Sequence, residues 1–310
     1  MRYLSAYKNT LFTYFKPNEY LWAMNKIKLI ECPRDAMQGI KDFIPTTEKI
    51  QYIQSLLRCG FDTIDFGSFV SPKAIPQMVD TKEVLAGLDL SKTSSKLLAI
   101  VANVRGAQDA VLHPEIDYLG YPFSISENFQ MRNTHKTIEE SVDTLQEILN
   151  LAHSHEKEVV AYLSMGFGNP YGDPWSVEIV GEWTERLSAM GVNILSLSDT
   201  VGTSDAETIN YLFSNLIPAY PNIEFGAHLH TTPTSWHEKI DAAYKAGCRR
   251  FDGAIQGFGG CPMAKDELTG NMPTEKMLSY FNAAKADANV KMASFESSYN
   301  ESSKIFNQYH

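Results

Sequence analysis

Residues 159–198 read VVAYLSMGFGNPYGDPWSVEIVGEWTERLSAMGVNILSLS, and this stretch decides the fold. It begins with a short β-type run, Val159–Ser164, and ends with another, Ile194–Ser198. Between them, residues 176–190 have the amphipathic spacing of a helix, which ends at Gly191, a residue type that is common after helices. A strand, a helix and a strand in this order predict two parallel strands joined by a crossover helix.

The same unit recurs along the chain. Helical windows begin near Thr46, Thr137, Asp205, Ser235 and Thr274. The predicted strands are Ile27–Ile30, Thr63–Phe66, Leu97–Val101, Tyr118–Tyr121, Val159–Ser164, Ile194–Ser198, Ile223–His230 and Arg249–Ile255. Such units, repeated in about 250 residues, predict an α/β fold, the (β/α)8 TIM barrel. A doubly wound open sheet is less favoured, because neither GxGxxG nor a P-loop follows the first strand.

The barrel is predicted to occupy residues 24–290. Residues 1–23 carry aromatic and polar residues without sustained periodicity, which indicates an N-terminal extension that need not belong to the native protein. Residues 291–310 are polar and rich in serine, and we predict a surface tail there.

Composition excludes several classes of protein. The formal net charge of −10 and the absence of a Lys/Arg-rich run argue against a nucleic-acid partner. No apolar run approaches the ~20 residues of a membrane span, so no membrane partner is expected. The four cysteines are scattered without a CxxC pair, and we expect a cytoplasmic protein with reduced thiols.

Polar and ionisable residues follow several of the predicted strands. In a TIM barrel the C-terminal strand ends form the active-site face, so these residues are candidates for chemistry. They are Arg34, Asp35, Asp65, Ser68, Asp199, His228, His230, Cys261 and Asn271.

His228 and His230 lie two residues apart on the seventh strand. The strand period of two points both imidazoles to the same face, as metal ligands would be, although a lone pair of this spacing is more often structural. Joined by a carboxylate from the first strand and an amide from the loop after the eighth, they would form a mixed nitrogen and oxygen site. Such a site suits Mg²⁺ or Mn²⁺, and Zn²⁺ is the second choice.

The loop after the eighth strand begins Gly257-Phe-Gly-Gly-Cys261. Few side chains restrain this segment, so it could close over the barrel mouth and bring the Cys261 thiol to a substrate. The alternative is an ordinary Gly-rich turn with an unremarkable cysteine.

Several long motifs, in order, resemble the 3-hydroxy-3-methylglutaryl-CoA lyases of the DRE-TIM metallolyase superfamily. They are Arg34-Asp35-Ala-Met-Gln38, the segment Ser68–Met78, Ser196–Gly202, His228-Leu-His230 and Gly257–Pro262 with Gly270-Asn271. The resemblance implies that Asp35, His228, His230 and Asn271 hold the divalent metal. It implies catalytic roles for Arg34, Asp65, Asp199, His228 and Cys261, and substrate contacts by Arg34, Gln38 and Ser68.

The chain departs from the family pattern at three places. Asp65 stands where the family usually has Glu, and Ala36-Met37 replaces Gly-Leu. After the histidines the family usually continues Asp-Thr-x-Gly and, further on, Ala-Asn, whereas this chain has residues 231–239, TTPTSWHEK. An acidic neighbour and a glycine turn are therefore missing beside the predicted metal site.

The resemblance implies a carbon–carbon lyase that cleaves 3-hydroxy-3-methylglutaryl-CoA, or a related 3-hydroxyacyl-CoA, to acetyl-CoA and a keto acid such as acetoacetate. Alternatives are a Claisen-condensing synthase or a hydroxy-keto-acid aldolase of the same superfamily, because the fold alone does not separate them. A non-catalytic barrel that binds acyl-CoA is less favoured. A homodimer is an expectation from the family.

Overall fold

Eight parallel strands close into a barrel in the computed structural model, which describes residues 26–260 and 269–309. They are β1 Lys28–Glu31, β2 Thr63–Ser68, β3 Lys96–Ile100, β4 Tyr118–Ser124, β5 Glu158–Ser164, β6 Ile194–Ser198, β7 Glu224–His228 and β9 Arg250–Gly253. Two short strands, β8 (His230–Thr231) and β10 (Gly270–Asn271), form a separate antiparallel pair. The predicted TIM barrel is confirmed.

Helices connect the strands and surround the barrel. They are α1 Pro33–Gln38, α2 Thr46–Leu57, α3 Thr81–Ala86, α4 Val104–Ala110, α5 Glu127–Thr134, α6 Ile138–Ser154, α7 Val177–Ala189, α8 Ala206–Ala219, α9 Trp236–Lys245, α10 Thr274–Ala283 and α11 Met292–Tyr309, with 3₁₀ turns at Pro76–Met78 and Ile255–Gly257. Three helices begin where the sequence predicted. The side chains of Thr137, Ser176 and Asp205 cap the N-termini of α6, α7 and α8 by accepting hydrogen bonds from backbone N–H groups of the first turn.

The main hydrophobic core lies between the strands and the helices. Leu163 and Leu195 point outward from β5 and β6, while Val180 and Leu187 of α7 belong to the same core, and all four are fully buried. Each such side chain contributes about 1.5–3 kcal/mol by leaving water. Truncating Leu195 to Ala would cost roughly 2–5 kcal/mol, because a cavity would remain. This layer fixes the positions of the strand ends.

The barrel interior contains a polar layer. Tyr162, Ser196, Gly226 and Arg250 are register partners across β5, β6, β7 and β9. A Cβ at Gly226 would lie 3.2 Å from Arg250 Cδ, so the glycine leaves room for the long side chain. Beneath the barrel mouth the interior is therefore charged.

The C-terminal region is not the polar tail that the sequence indicated. Residues 292–309 form α11, which contacts α2. Its buried residues, Phe295, Ser298, Ser302, Ile305 and Phe306, are spaced so that they share one face of the helix. Two serines within this stripe conceal its helical periodicity in the sequence. Residues 1–23 lie outside the described part of the chain. Among the described helices, none is long and apolar enough to cross a membrane.

Candidate active site

Three predicted ligands meet at the C-terminal end of the barrel. Asp35 lies in α1, which begins immediately after β1 with Pro33 at its start. His228 ends β7, and His230 begins β8. One side-chain atom from each of Asp35, His228 and His230 lies within 4.8 Å of the others. This grouping has the size and the donor types of a divalent-cation site.

Both imidazoles are held through Nδ1. His228 Nδ1 lies 3.2 Å from Asp252 Oδ2, and His230 Nδ1 lies 3.0 Å from the Thr200 carbonyl oxygen. His230 Nε2 is buried and has no hydrogen-bond partner among the described residues. A buried nitrogen with no partner is costly unless it binds something. The residues therefore fit a metal ion bound through Nε2.

Asn271 joins the cluster from the loop after β9. Its Nδ2 donates to Asp35 Oδ2 at 2.7 Å and to the Phe258 carbonyl oxygen at 2.8 Å. Asn271 is also the register partner of His230 in the antiparallel pair of β8 and β10. The predicted strand over residues 223–230 is accordingly divided, with a break at Leu229, and β8 and β10 bring the two residues together.

Arg34 and Asp65 form a buried ion pair beside this cluster. Arg34 Nε lies 3.1 and 3.0 Å from the two Asp65 oxygens, and Nη2 lies 2.5 Å from Oδ2. Arg34 Nη1 donates at 2.9 Å to Asp35 Oδ1 and at 2.9 Å to Gln38 Oε1. Gln38 Nε2 donates in turn to Asp35 Oδ1 at 2.7 Å. Hydrogen bonds thus connect Arg34, Asp35, Asp65, Gln38 and Asn271.

Together, burial and neighbouring charges raise the pKa of Asp65 and lower the pKa values of Asp35 and His230. Burial raises the pKa of Asp65 to about 6, even though the Arg34 cation opposes the change. Burial also acts to raise the pKa of Asp35, but Arg34 and the histidines outweigh it and the pKa is lowered. Burial and the neighbouring His228 lower the pKa of His230 to about 4. At neutral pH, Asp35 is ionised and His230 is neutral, the forms that bind metal.

The pKa of His228 is raised. Burial acts to lower it, but the hydrogen bond and the charge of Asp252 outweigh that effect. The imidazole therefore holds a proton more readily than an exposed histidine does. An imidazole held by a carboxylate in this way is a candidate for proton transfer.

The Gly-rich segment lies directly on Asp35. Gly259 has φ of +83°, and a Cβ there would lie 2.5 Å from the Asp35 carbonyl oxygen. Any side chain at this position would push the segment away, so close approach requires glycine. The segment leads to Cys261, which lies outside the described residues, and the proposed role of its thiol stays a prediction.

Two predicted site residues do not contact this cluster through their side chains. Asp199 is fully buried, and its carboxylate is bound to Lys239 and Ser204. The Ser68 hydroxyl lies 3.4 Å from the Ile100 carbonyl oxygen and accepts from Val70 N at 3.2 Å. Both side chains hydrogen-bond to neighbouring residues of the fold. Neither contacts the cluster, so the catalytic role of Asp199 and substrate binding by Ser68 stay predictions.

Asp252 and Lys239 are polar partners of the site that motif reasoning missed. Asp252 is two residues after Arg250 on β9, and the strand period of two points both into the barrel. That alternation could have identified Asp252. Lys239 lies on α9 and has no comparable sequence signal, because its partner Asp199 is 40 residues away.

The fold and the cluster define a class: a TIM barrel with a candidate divalent-metal centre at the C-terminal strand ends. The model of the HMGL-like family matches residues 26–300. The 3-hydroxy-3-isohexenylglutaryl-CoA/hydroxy-methylglutaryl-CoA lyase of Pseudomonas aeruginosa is 32% identical over 86% of this chain and 88% of its own length. The chain therefore belongs to the HMGL-like family, and the resemblance found in its motifs is confirmed.

Solved structures agree with this assignment. The structure of the HMG-CoA lyase from Bacillus subtilis superimposes with a TM-score of 0.85 at 31% identity, covering 91% of this chain and 94% of that one. An HMG-CoA lyase from Acinetobacter baumannii, in complex with coenzyme A and 3-methylmalate, gives a TM-score of 0.84 at 27% identity, covering 92% of each chain. The similarity thus extends over nearly the whole barrel.

Proposed function

We propose that this chain is a divalent-metal-dependent carbon–carbon lyase that cleaves 3-hydroxy-3-methylglutaryl-CoA, or a related 3-hydroxyacyl-CoA, to acetyl-CoA and a keto acid such as acetoacetate. The observation that carries the proposal is the convergence of Asp35, His228 and His230 beside the Arg34–Asp65 pair. Lyases of this specificity among its relatives support the proposed substrate.

Asp35, His228, His230 and the amide oxygen of Asn271 are the proposed metal ligands. The buried Nε2 of His230 and the ionised Asp35 support this set. Mixed nitrogen and oxygen donors favour Mg²⁺ or Mn²⁺ over Zn²⁺. A bound divalent cation would orient the substrate through its hydroxyl and a neighbouring carbonyl oxygen and lower the pKa of that hydroxyl.

Cleavage requires a base, a place for negative charge and an acid. The base removes the proton of the tertiary hydroxyl, the carbon–carbon bond breaks as the ketone forms, and its electron pair moves to the α-carbon of the thioester. Protonation of that carbon then gives acetyl-CoA. The residues proposed to move these protons are His228, Asp65 and Cys261. The pKa of Asp65, about 6, supports its inclusion.

Arg34 is proposed to stabilise the enolate. Its guanidinium is held by Asp65 on one side and by Asp35 and Gln38 on another, so it cannot turn freely. A fixed positive charge near the developing oxyanion costs no reorganisation during the reaction and is commonly worth a few kcal/mol. Gln38 is proposed to contact substrate because it shares this network.

Acyl-CoA as the substrate class is supported by the coenzyme A complex of the A. baumannii lyase. Asp65 has one methylene fewer than the Glu usual in the family. We therefore propose that the pocket accepts a larger acyl group as well, in keeping with the isohexenyl substrate in the name of the P. aeruginosa relative. A cytoplasmic setting and a homodimer remain proposals.

The test is acetyl-CoA release from 3-hydroxy-3-methylglutaryl-CoA and from longer 3-alkyl homologues, assayed with Mg²⁺, with Mn²⁺ and with EDTA. The expected result is cleavage that depends on the metal. If the protein binds metal but cleaves none of these thioesters, the lyase proposal fails. Condensation of acetyl-CoA with keto acids would then be measured, because a synthase shares the fold.

A further inference from the structure

A lysine cation is buried directly behind the metal centre. Lys239 is 3% exposed, and its Nζ contacts three oxygens. It lies 2.7 Å from Asp199 Oδ2, 2.8 Å from the His230 carbonyl oxygen and 3.2 Å from the Gly202 carbonyl oxygen. A buried ammonium is stable only with an anion and further acceptors, and this site supplies both.

Asp199, the anion of this pair, is engaged on both oxygens. Oδ1 accepts from Ser204 N at 3.0 Å, and Oδ2 accepts from Ser204 Oγ at 2.5 Å in addition to Lys239. The Asp199 backbone N–H donates to the His228 carbonyl oxygen at 2.9 Å. Asp199 therefore holds the backbone of one predicted ligand while its side chain neutralises Lys239.

Together the two residues hold both histidines. The His228 carbonyl accepts from Asp199, the His230 carbonyl accepts from Lys239, and the His230 imidazole is hydrogen-bonded to Thr200, the residue after Asp199. Each bond fixes the chain at a ligand. Displacing Lys239 would free the His230 carbonyl and change the direction of its imidazole.

We propose that Lys239 is a positioning residue of the metal centre: its bond to the His230 carbonyl sets where His230 Nε2 lies relative to Asp35. The proposal rests on the metal site under the proposed function. It also gives a role to residues 231–239, the segment that departs from the family pattern, since Thr231 stands where the family usually has an acidic neighbour and Lys239 lies at the end of the segment. In this chain the Lys239 cation, bound to the His230 carbonyl oxygen, would support His230 in place of an acidic side chain next to it.

Asn271 depends on the same support. Its register partner is His230, and Thr231 Oγ1 lies 3.4 Å from the Asn271 carbonyl oxygen. A shift of β8 would therefore move two of the proposed ligands together. Small displacements of this kind weaken a metal site strongly, because the coordination distances are narrow.

The test compares two double variants, each of which removes a buried lysine–aspartate pair without leaving an isolated charge. Lys239→Met with Asp199→Asn removes the pair behind the metal centre. Lys49→Met with Asp80→Asn is the matched control, because Lys49 Nζ lies 2.7 Å from Asp80 Oδ1 and both side chains are buried. The free energy of unfolding is measured in EDTA, and the Kd for Mn²⁺ by calorimetry on metal-free protein.

Both double variants are expected to lose stability in EDTA, but only the Lys239 variant should bind Mn²⁺ at least about tenfold more weakly. An unchanged Kd there would overturn the proposal, because the pair would then be merely structural. An equal weakening in the Lys49 control would overturn it too. If the wild-type protein binds no Mn²⁺, the metal centre itself fails, which is a separate result.

A second double variant decides the matter if the Lys239→Met protein does not fold. Lys239→Gln with Asp199→Asn leaves no isolated charge, and the two amides can hydrogen-bond to each other. The Gln side chain ends one atom short of the lysine Nζ, so it no longer reaches the His230 carbonyl oxygen. The proposal predicts an Mn²⁺ Kd at least about tenfold weaker than wild type for this variant, and a Kd within about threefold of wild type would overturn it.

Discussion

Asp252 and His228 are register partners across β9 and β7, and the Asp252 carboxylate lies 3.2 Å from His228 Nδ1. Ser196 Oγ donates to the same carboxylate oxygen at 3.3 Å, while Asp252 Oδ1 is buried without a partner among the described residues. A carboxylate bound to Nδ1 favours the tautomer that carries its proton there. Nε2 is then free to bind a metal.

Replacing Asp252 by asparagine should weaken metal binding about 10- to 100-fold, because an amide neither holds the tautomer as firmly nor raises the basicity of the imidazole. The measurement is the Kd for Mn²⁺ on metal-free protein. Ser196→Ala is the control, since Ser196 touches the same carboxylate oxygen but not the histidine. If Asp252→Asn binds Mn²⁺ as wild type does, His228 is not held for the metal by Asp252.

Arg34→Lys should lower kcat by orders of magnitude and also weaken metal binding. Lysine retains the charge but cannot hold Asp65 through two nitrogens while donating to Asp35. Steady-state kinetics at saturating Mn²⁺, together with the Mn²⁺ Kd, separate the two effects. A change confined to KM would assign Arg34 to substrate binding alone.

Glu31 makes stability depend on pH. It is fully buried, accepts hydrogen bonds from Ile255 N and Thr274 Oγ1, and burial raises its pKa from 4.5 to about 8. Between pH 4.5 and about pH 8, Glu31 is protonated in the folded protein but ionised in the unfolded chain. Its contribution to the free energy of unfolding therefore falls as the pH rises. Glu31→Gln removes that term, because the amide has the shape of the protonated acid.

The stability of Glu31→Gln relative to wild type should therefore increase from pH 5 to pH 8, by up to about 1.4 kcal/mol per pH unit. Urea unfolding in EDTA at several pH values gives the difference directly, since other titrating groups cancel between the two proteins. Parallel stability profiles would show that Glu31 titrates normally in the folded state.

Alkylation of the folded protein should label Cys261 first. Cys32, Cys59 and Cys248 are buried, and burial raises the pKa of each thiol, to about 11 for Cys59 and about 12 for Cys248. These three are therefore poor nucleophiles at neutral pH. Mass-spectrometric mapping after brief iodoacetamide treatment tests this, with urea-unfolded protein as the reference for full labelling. Preferential labelling of Cys59 or Cys248 would contradict a reactive thiol at residue 261.

The barrel was predictable because each strand and helix carries its own local signal, and the ligands because strand ends meet at one face. His228 and His230 follow from a period of two. Two features could not be predicted from the sequence. The contact between Lys239 and Asp199 joins residues that are 40 positions apart. The helix α11 was missed because serines interrupt its apolar face. Ser68 and Asp199 lie in family motifs, but their side chains hydrogen-bond to neighbouring residues and not to the metal cluster. A motif does not show which partners a side chain binds.

The antiparallel pair of β8 and β10 has a thermodynamic consequence. It joins His230 of the barrel to Asn271 at the far end of the loop that begins at Gly257, so one ion would tie that loop to the barrel. Linkage is reciprocal: if the metal tightens substrate binding by holding the loop, then substrate must tighten metal binding by the same factor. A chelator would then weaken substrate binding in two ways, by removing the ion that the substrate contacts and by releasing the loop.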